Sequence, residues 1–164
     1  MPFPIQTQLE EEWCWAAVAA SVDNYFNPIS SVPQCRIATN VLNKDACGDP
    51  EECNLSETLQ KALKVVDRLR GIRIGPLTFA QLRQEIDAGH PVCARIAWND
   101  GGAHFVVISG YYESPAGVRT VDISDPWYPN SIRDFDQFPG AYHGGGKWTA
   151  TFLVKPKRGE RGWR

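Results

Sequence analysis

Five residues of this 164-residue chain have the types and spacing for covalent chemistry: Gln8, Cys14, His104, Asp122 and Asp125. Cys14 sits between two tryptophans at the head of the alanine-rich run WCWAAVAA, which reads as the start of a helix. The unpaired N–H groups and the dipole of a helix N-terminus favour a thiolate at such a place. Glu10, Glu11 and Glu12 oppose it, so a neighbouring imidazolium would have to supply the rest. The same apolar context suits an inert buried thiol, and position alone does not separate the two. His104 follows the small-residue approach NDGGA and opens the segment HFVVISGYY, where another element or a substrate can come close. A cysteine and a histidine brought together make a nucleophile and its base for acyl transfer.

An orienting acid would complete them. HFVVISGYY and VRTVDIS flank the turn ESPAG and read as a β-hairpin. Pairing Tyr112 with Gly117 sets His104 opposite Asp125 and puts Val106, Ile108, Val121 and Ile123 on that same face. Asp122 then points to the other face. Opposed Cβ atoms lie about 5 Å apart, within hydrogen-bonding reach for Asp125 and the imidazole. Asp-Pro is also an ordinary strand-ending turn signal, the competing reading of Asp125. Gln8, six residues before Cys14, could offer a side-chain N–H to a carbonyl oxygen under attack, beside the backbone N–H of Cys14. Gln6 is its competitor. Trp127, directly after Asp-Pro, is the candidate to shield His104 and Asp125 from water, and His90 and His143 read as loop residues.

These side chains need helices first and strands after. Helical spacing runs from Trp15 to Phe26 and stops at Pro28, and a second, weaker helix fits Gln34 to Leu42. Asn54 followed by Glu57 reads as a cap for the apolar stripe Leu55, Leu59, Leu63 and Val66, and Thr78 with Gln81 repeats the signal before LRQEIDAG. PVCARIAW, HFVVISGYY, RTVDIS and WTATFLV then read as strands. That order gives an α+β fold, a helical half packed on an antiparallel sheet with a cleft between them. Residues 1–154 make one domain, and 155–164 form a basic, mobile tail in which Lys155, Lys157, Arg158, Arg161 and Arg164 stand against Glu160.

Gln8-x5-Cys14-Trp15-Ala16-Ala17, then Gly102-Ala103-His104-Phe105-Val106-Val107-Ile108, then Asp125-Pro126-Trp127, resembles a papain-like cysteine peptidase over about positions 6 to 154. The compact size is similar to the effector proteases that plant-associated bacteria inject into hosts, and more distantly to bacteriocin-leader peptidases. The resemblance implies a papain-like fold with Cys14 as nucleophile, His104 as base and acid, Asp125 as orienting acid and Gln8 as oxyanion donor. It implies a cysteine endopeptidase acting through a thioester on protein or peptide substrates, with export from the producing cell and a host activating factor. Larger papain relatives have asparagine where Asp125 stands. Rival readings are an amidase, acyltransferase or deamidase using the same triad, and an inactive binding module.

Composition narrows the rest. Lys and Arg number 17 against 19 Asp and Glu, for a net charge of −2, which speaks against a basic nucleic-acid binder. No apolar run is long enough to span a membrane, and the first fifteen residues show neither the basic nor the apolar part of a signal peptide. His90 and Cys93 lie three apart with Pro91 between them, a poor shared ligand face, so neither metal nor cofactor is expected. The chain is expected to act as a monomer. Of the five cysteines, Cys93 falls in a strand and is expected to be a free, inert thiol. Cys35, Cys47 and Cys53 fall in a loop-rich stretch and are expected to form at most one disulfide, in an oxidising compartment.

Overall fold

The computed structural model describes residues 2–160. Helix α1 (Cys14–Phe26) is buried at every position from Cys14 to Asp23. Its four alanines let neighbours approach on all sides, as a helix in the middle of a core must. Helices α2 (Gln34–Leu42) and α3 (Leu59–Val65) pack on α1. Helix α4 (Phe79–Asp87) carries the capping box foreseen at Thr78 and Gln81, and Gly89 follows its end at φ +83°.

Helix α3 begins later than the apolar stripe suggests. Thr58 caps it by accepting from the Lys61 N–H. Leu55 is left 43% exposed, and Asn54 Oδ1 instead accepts from the backbone N–H of Glu12.

The strands are β1 (Leu69–Ile74), β2 (Val92–Trp98), β3 (Ala103–Glu113), β4 (Arg119–Ser124), β5 (Ser131–Asp134) and β6 (Gly146–Val154). They form one antiparallel sheet in the order β1-β6-β2-β3-β4-β5. The sequence pattern missed β1 and β5. Both are edge strands, and β1 is exposed at four of its six positions, so neither shows the alternation that marks a half-buried strand. Because β1 lies between α3 and α4, helices and strands are not strictly consecutive. The α+β arrangement stands.

Alternation splits the sheet between two cores. Cys93, Phe105, Val107, Phe152 and Val154 face α1, α2 and α3. Val92, Ala94, Ile96, Val106, Ile108, Val121 and Ile123 face the layer built from α4 and the loop carrying Phe138 and Tyr142.

The β3–β4 hairpin pairs differently from the sequence expectation. Tyr112 pairs with Thr120 rather than Gly117, and Ile108 with Ile123, with a bulge between Ile108 and Gly110. The cause is the turn. Ser114 N–H bonds the Val118 carbonyl, and Gly117, at φ +84°, belongs to the turn and not to a strand. Asp122 leans over Gly110, where an added Cβ would lie 2.3 Å from its Oδ2. The ladder ends at Val107–Ser124, so Asp125 lies one residue beyond the last pair.

Cys35 and Cys47 are joined by a disulfide, while Cys53 and Cys93 are free and buried. Burial pushes the Cys93 thiol up to about 12. Of the C-terminal ten residues, Lys155 N–H bonds the Arg68 carbonyl and Glu160 pairs with the Arg68 guanidinium. Residues 161–164 lie outside the described residues. No helix among the described residues is long and apolar enough to cross a membrane.

Candidate active site

Cys14 is the first residue of α1, with Trp13 at the cap position, and it is 9% exposed. At that position its backbone N–H has no intrahelical acceptor and is available to a ligand. His104 is the second residue of β3 and is buried. Its Nε2 lies 2.8 Å from Asp125 Oδ1, which leaves Nδ1 as the nitrogen that can exchange a proton. Burial pulls the His104 pKa down, but Asp125 and then the Cys14 thiol more than offset this and raise it to about 9.

Asp125 is fully satisfied. Oδ1 accepts from His104 and from the backbone N–H groups of Trp127 (2.8 Å) and Tyr128 (3.0 Å), and Oδ2 accepts from the Tyr142 hydroxyl (2.6 Å). Burial alone would raise its pKa; the bonds to His104, Tyr142 and Trp127 outweigh that and hold it below the ordinary carboxylate range. The Asp-Pro turn and the contact to His104 are therefore one arrangement. The turn folds its own N–H groups onto Oδ1 and aims the carboxylate at the imidazole. Asp122 stays exposed on β4.

Gln8 is buried in the segment entering α1, anchored by its own N–H on the Pro126 carbonyl. Its Nε2 donates to the carbonyls of Glu10 (3.0 Å) and Glu11 (2.6 Å), and its buried Oε1 has no partner. The amide braces the turn before Cys14, so giving an N–H to an oxyanion requires releasing one of these carbonyls. Gln6 is occupied elsewhere: its Oε1 accepts from Gln34 Nε2 and its N–H bonds Ser21 Oγ.

The shielding of His104 comes from residues that the sequence pattern did not point to. Trp127 stands 53% exposed. Trp98 stacks on the imidazole at 6.0 Å, and Tyr128 meets it edge-on at 6.3 Å. Tyr142 lies behind them, buried, stacked against Trp98 and bonded to Asp125. Trp98 ends the strand segment PVCARIAW, across the turn NDGGA from His104, and Tyr142 lies in AYHGGGK before the last strand. His143 is a loop residue at φ +43° that stacks on Tyr128 at 3.6 Å.

A groove of about 680 Å³ opens beside Cys14, with Glu12, Trp15 and Glu57 on the helical side and Ala103, Phe105 and Phe152 on the sheet side. It follows the boundary between the two halves and is large enough for several residues of an extended peptide. Among the described residues no cluster of three His, Cys, Asp or Glu is arranged to hold a metal ion.

The sequence model of the Peptidase_C39 like family matches residues 1–151. No curated protein matches the chain.

Proposed function

This chain belongs to the Peptidase_C39-like family, and we propose that it is a cysteine endopeptidase whose working groups are Cys14, His104 and Asp125. The family supports a cysteine peptidase on a papain-like fold. The observation that carries the assignment of residues is the buried imidazole of His104, bonded through Nε2 to Asp125 at 2.8 Å and acted on by the Cys14 thiol at the head of α1.

The chemistry follows from that placement. His104 takes the Cys14 proton on Nδ1, giving an imidazolium that Asp125 stabilises and a thiolate that the helix N-terminus favours. The thiolate attacks the peptide carbonyl. The backbone N–H of Cys14 bonds the oxyanion, and Gln8 Nε2 joins it by releasing the longer of its two carbonyl bonds. His104 gives its proton to the leaving amine, and a thioester remains. Water then attacks the thioester with His104 accepting its proton, and the acid product leaves as Cys14 recovers its proton. The Cys35–Cys47 disulfide supports a working place outside a reducing cytosol, in keeping with export from the producing cell.

The test is to incubate wild type and Cys14→Ala with a proteome digest library and label new N-termini. Wild type should create N-termini that the variant does not. Release of ammonia without new N-termini would replace peptide hydrolysis by side-chain deamidation, and no product of either kind would overturn the assignment.

A further inference from the structure

Three successive residues outside any helix or strand grip the chain around Cys14. The Cys53 carbonyl accepts from Trp13 Nε1 at 2.8 Å, Asn54 Oδ1 accepts from the Glu12 N–H at 2.8 Å, and the Leu55 carbonyl accepts from Trp15 Nε1 at 3.0 Å. Ser56 Oγ adds a 2.5 Å bond to Glu12 Oε2. The residues immediately before and after the sulfur are thus fixed by one segment.

That segment has few anchors of its own. Between Leu42 and Leu59 there is no regular element. Ala46 and Cys53 are its buried apolar residues, and the Ala46 N–H bonds Thr39 Oγ1 on α2. The covalent tie is the disulfide from Cys47 to Cys35, also on α2. Helix α2 packs directly on α1. A closed path therefore runs from α1 through α2, across the disulfide, along residues 47–55 and back to the start of α1.

We propose that residues 53–55 are a positioning clamp for Cys14, held in place by the Cys35–Cys47 disulfide, so that the site works fully only with this bond closed while Cys14 is reduced. The inference rests on Cys14 being the nucleophile. Opening the bond takes two equivalents of a thiol reductant. The first thiolate attacks one sulfur, forms a mixed disulfide and expels the other cysteine as a thiolate. The second thiol attacks the mixed disulfide, leaving two protein thiols and one oxidised reductant disulfide, a two-electron exchange. A thiol reductant then acts in opposite directions: it frees an oxidised Cys14, and at greater strength it releases the clamp.

The experiment compares the full chain with Cys35→Ser/Cys47→Ser, Asn54→Ala and Asn54→Asp. It measures kcat and KM on a cleaved peptide and, by peptide-resolved mass spectrometry, the rate of Cys14 alkylation by iodoacetamide against pH. The double variant and Asn54→Ala should each lose about tenfold in kcat with KM little changed, because the attacking atom is misplaced while the groove is intact. Their rate of Cys14 alkylation at a given pH should differ from wild type by about threefold or more, because the sulfur is no longer held in its place at the start of α1. Asn54→Asp keeps the acceptor oxygen and should restore most of the kcat. A wild-type alkylation profile in both disrupted variants overturns the clamp. If the double variant unfolds, the Asn54 pair decides. The alkylation profile does not require turnover, so a wild type without peptidase activity would sink the proposed function and leave the clamp to be judged by thiol reactivity.

Discussion

The imidazole of His104 is the residue on which the site turns, because it is bonded through Nε2 to Asp125 and its charged form is favoured by Asp125 and then by Cys14. Cys14→Ala and His104→Ala should abolish turnover while far-UV circular dichroism stays unchanged, since both residues stand at element ends. Asp125→Ala should retain measurable activity and lose about 10²–10⁴-fold in kcat, because it orients the imidazole without touching substrate. The pH dependence follows from the direction of the shifts. With its pKa raised to about 9, His104 stays protonated well above its ordinary titration range, so kcat/KM should fall on an alkaline limb near 9. Asp125→Ala should move that limb downward, because Asp125 is the larger of the two partners that raise His104. An alkaline limb unmoved in Asp125→Ala would show that the carboxylate does not set the charge of His104. Stability carries the same signs. The raised His104 contributes stability that is complete below the ordinary histidine value and is lost as pH rises through about 9. The lowered Asp125 contributes stability that is present above the ordinary carboxylate range and is lost in acid.

At the scale of elements, legibility followed burial and local chemistry. Helix α1 was readable because ten successive residues from its start are buried and Pro28 closes it; α4 was readable because its capping box is a local bond pattern. The edge strands β1 and β5 were not, since exposure leaves them no apolar alternation. The hairpin shows how a right contact can come from a wrong pairing. The apolar face of Val106, Ile108, Val121 and Ile123 is present, yet the pairing shifts by the bulge and by the turn that absorbs Gly117, and Asp125 reaches His104 from its Asp-Pro turn instead of from an opposed strand position. Trp98 was not marked because the strand alternation places it at the end of β2 without saying that it turns onto the imidazole across the hairpin, and Tyr142 because it reaches Asp125 from a loop far along the chain. Two consequences are measurable. Asp122→Ala should leave kcat within about twofold of wild type, as expected for an exposed side chain remote from the imidazole; a loss as large as that of Asp125→Ala would refute the pairing described. Thr78→Ala removes a cap from α4 and should cost about 1 kcal/mol in urea denaturation with activity unchanged when corrected for the folded fraction.

The whole molecule is closed by one buried charge. Arg68, between α3 and β1, is wholly inaccessible to solvent. Its Nε donates to Asp23 Oδ1 on α1 at 2.8 Å, its guanidinium pairs with Glu160 from the C-terminal segment, and its face lies 5.3 Å from the Phe26 ring. A guanidinium taken fully out of water is tolerated only with partners on its donors. The two carboxylates are not equal in this. Asp23 is itself 1% exposed and also accepts from the Val32 N–H, whereas the Glu160 side chain is 19% exposed. Asp23→Ala should therefore cost about 3–5 kcal/mol, because it strands a buried charge inside the helical half. Glu160→Ala should cost distinctly less, because water can replace it at the surface. The pair Asp23→Leu/Arg68→Met should be less damaging than Asp23→Ala alone, since removing both charges also removes the desolvation penalty. Acid adds an independent check. Arg68 holds Glu160 down to about 2, so its contribution is present above the ordinary glutamate range and fades as pH falls toward 2, and Glu160→Gln should flatten that part of the stability curve. Urea midpoints across pH for these variants test the ranking. Equal losses for Asp23→Ala and Glu160→Ala, or a double variant worse than Asp23→Ala, would mean that the C-terminal segment and not the buried Asp23 carries the charge of Arg68.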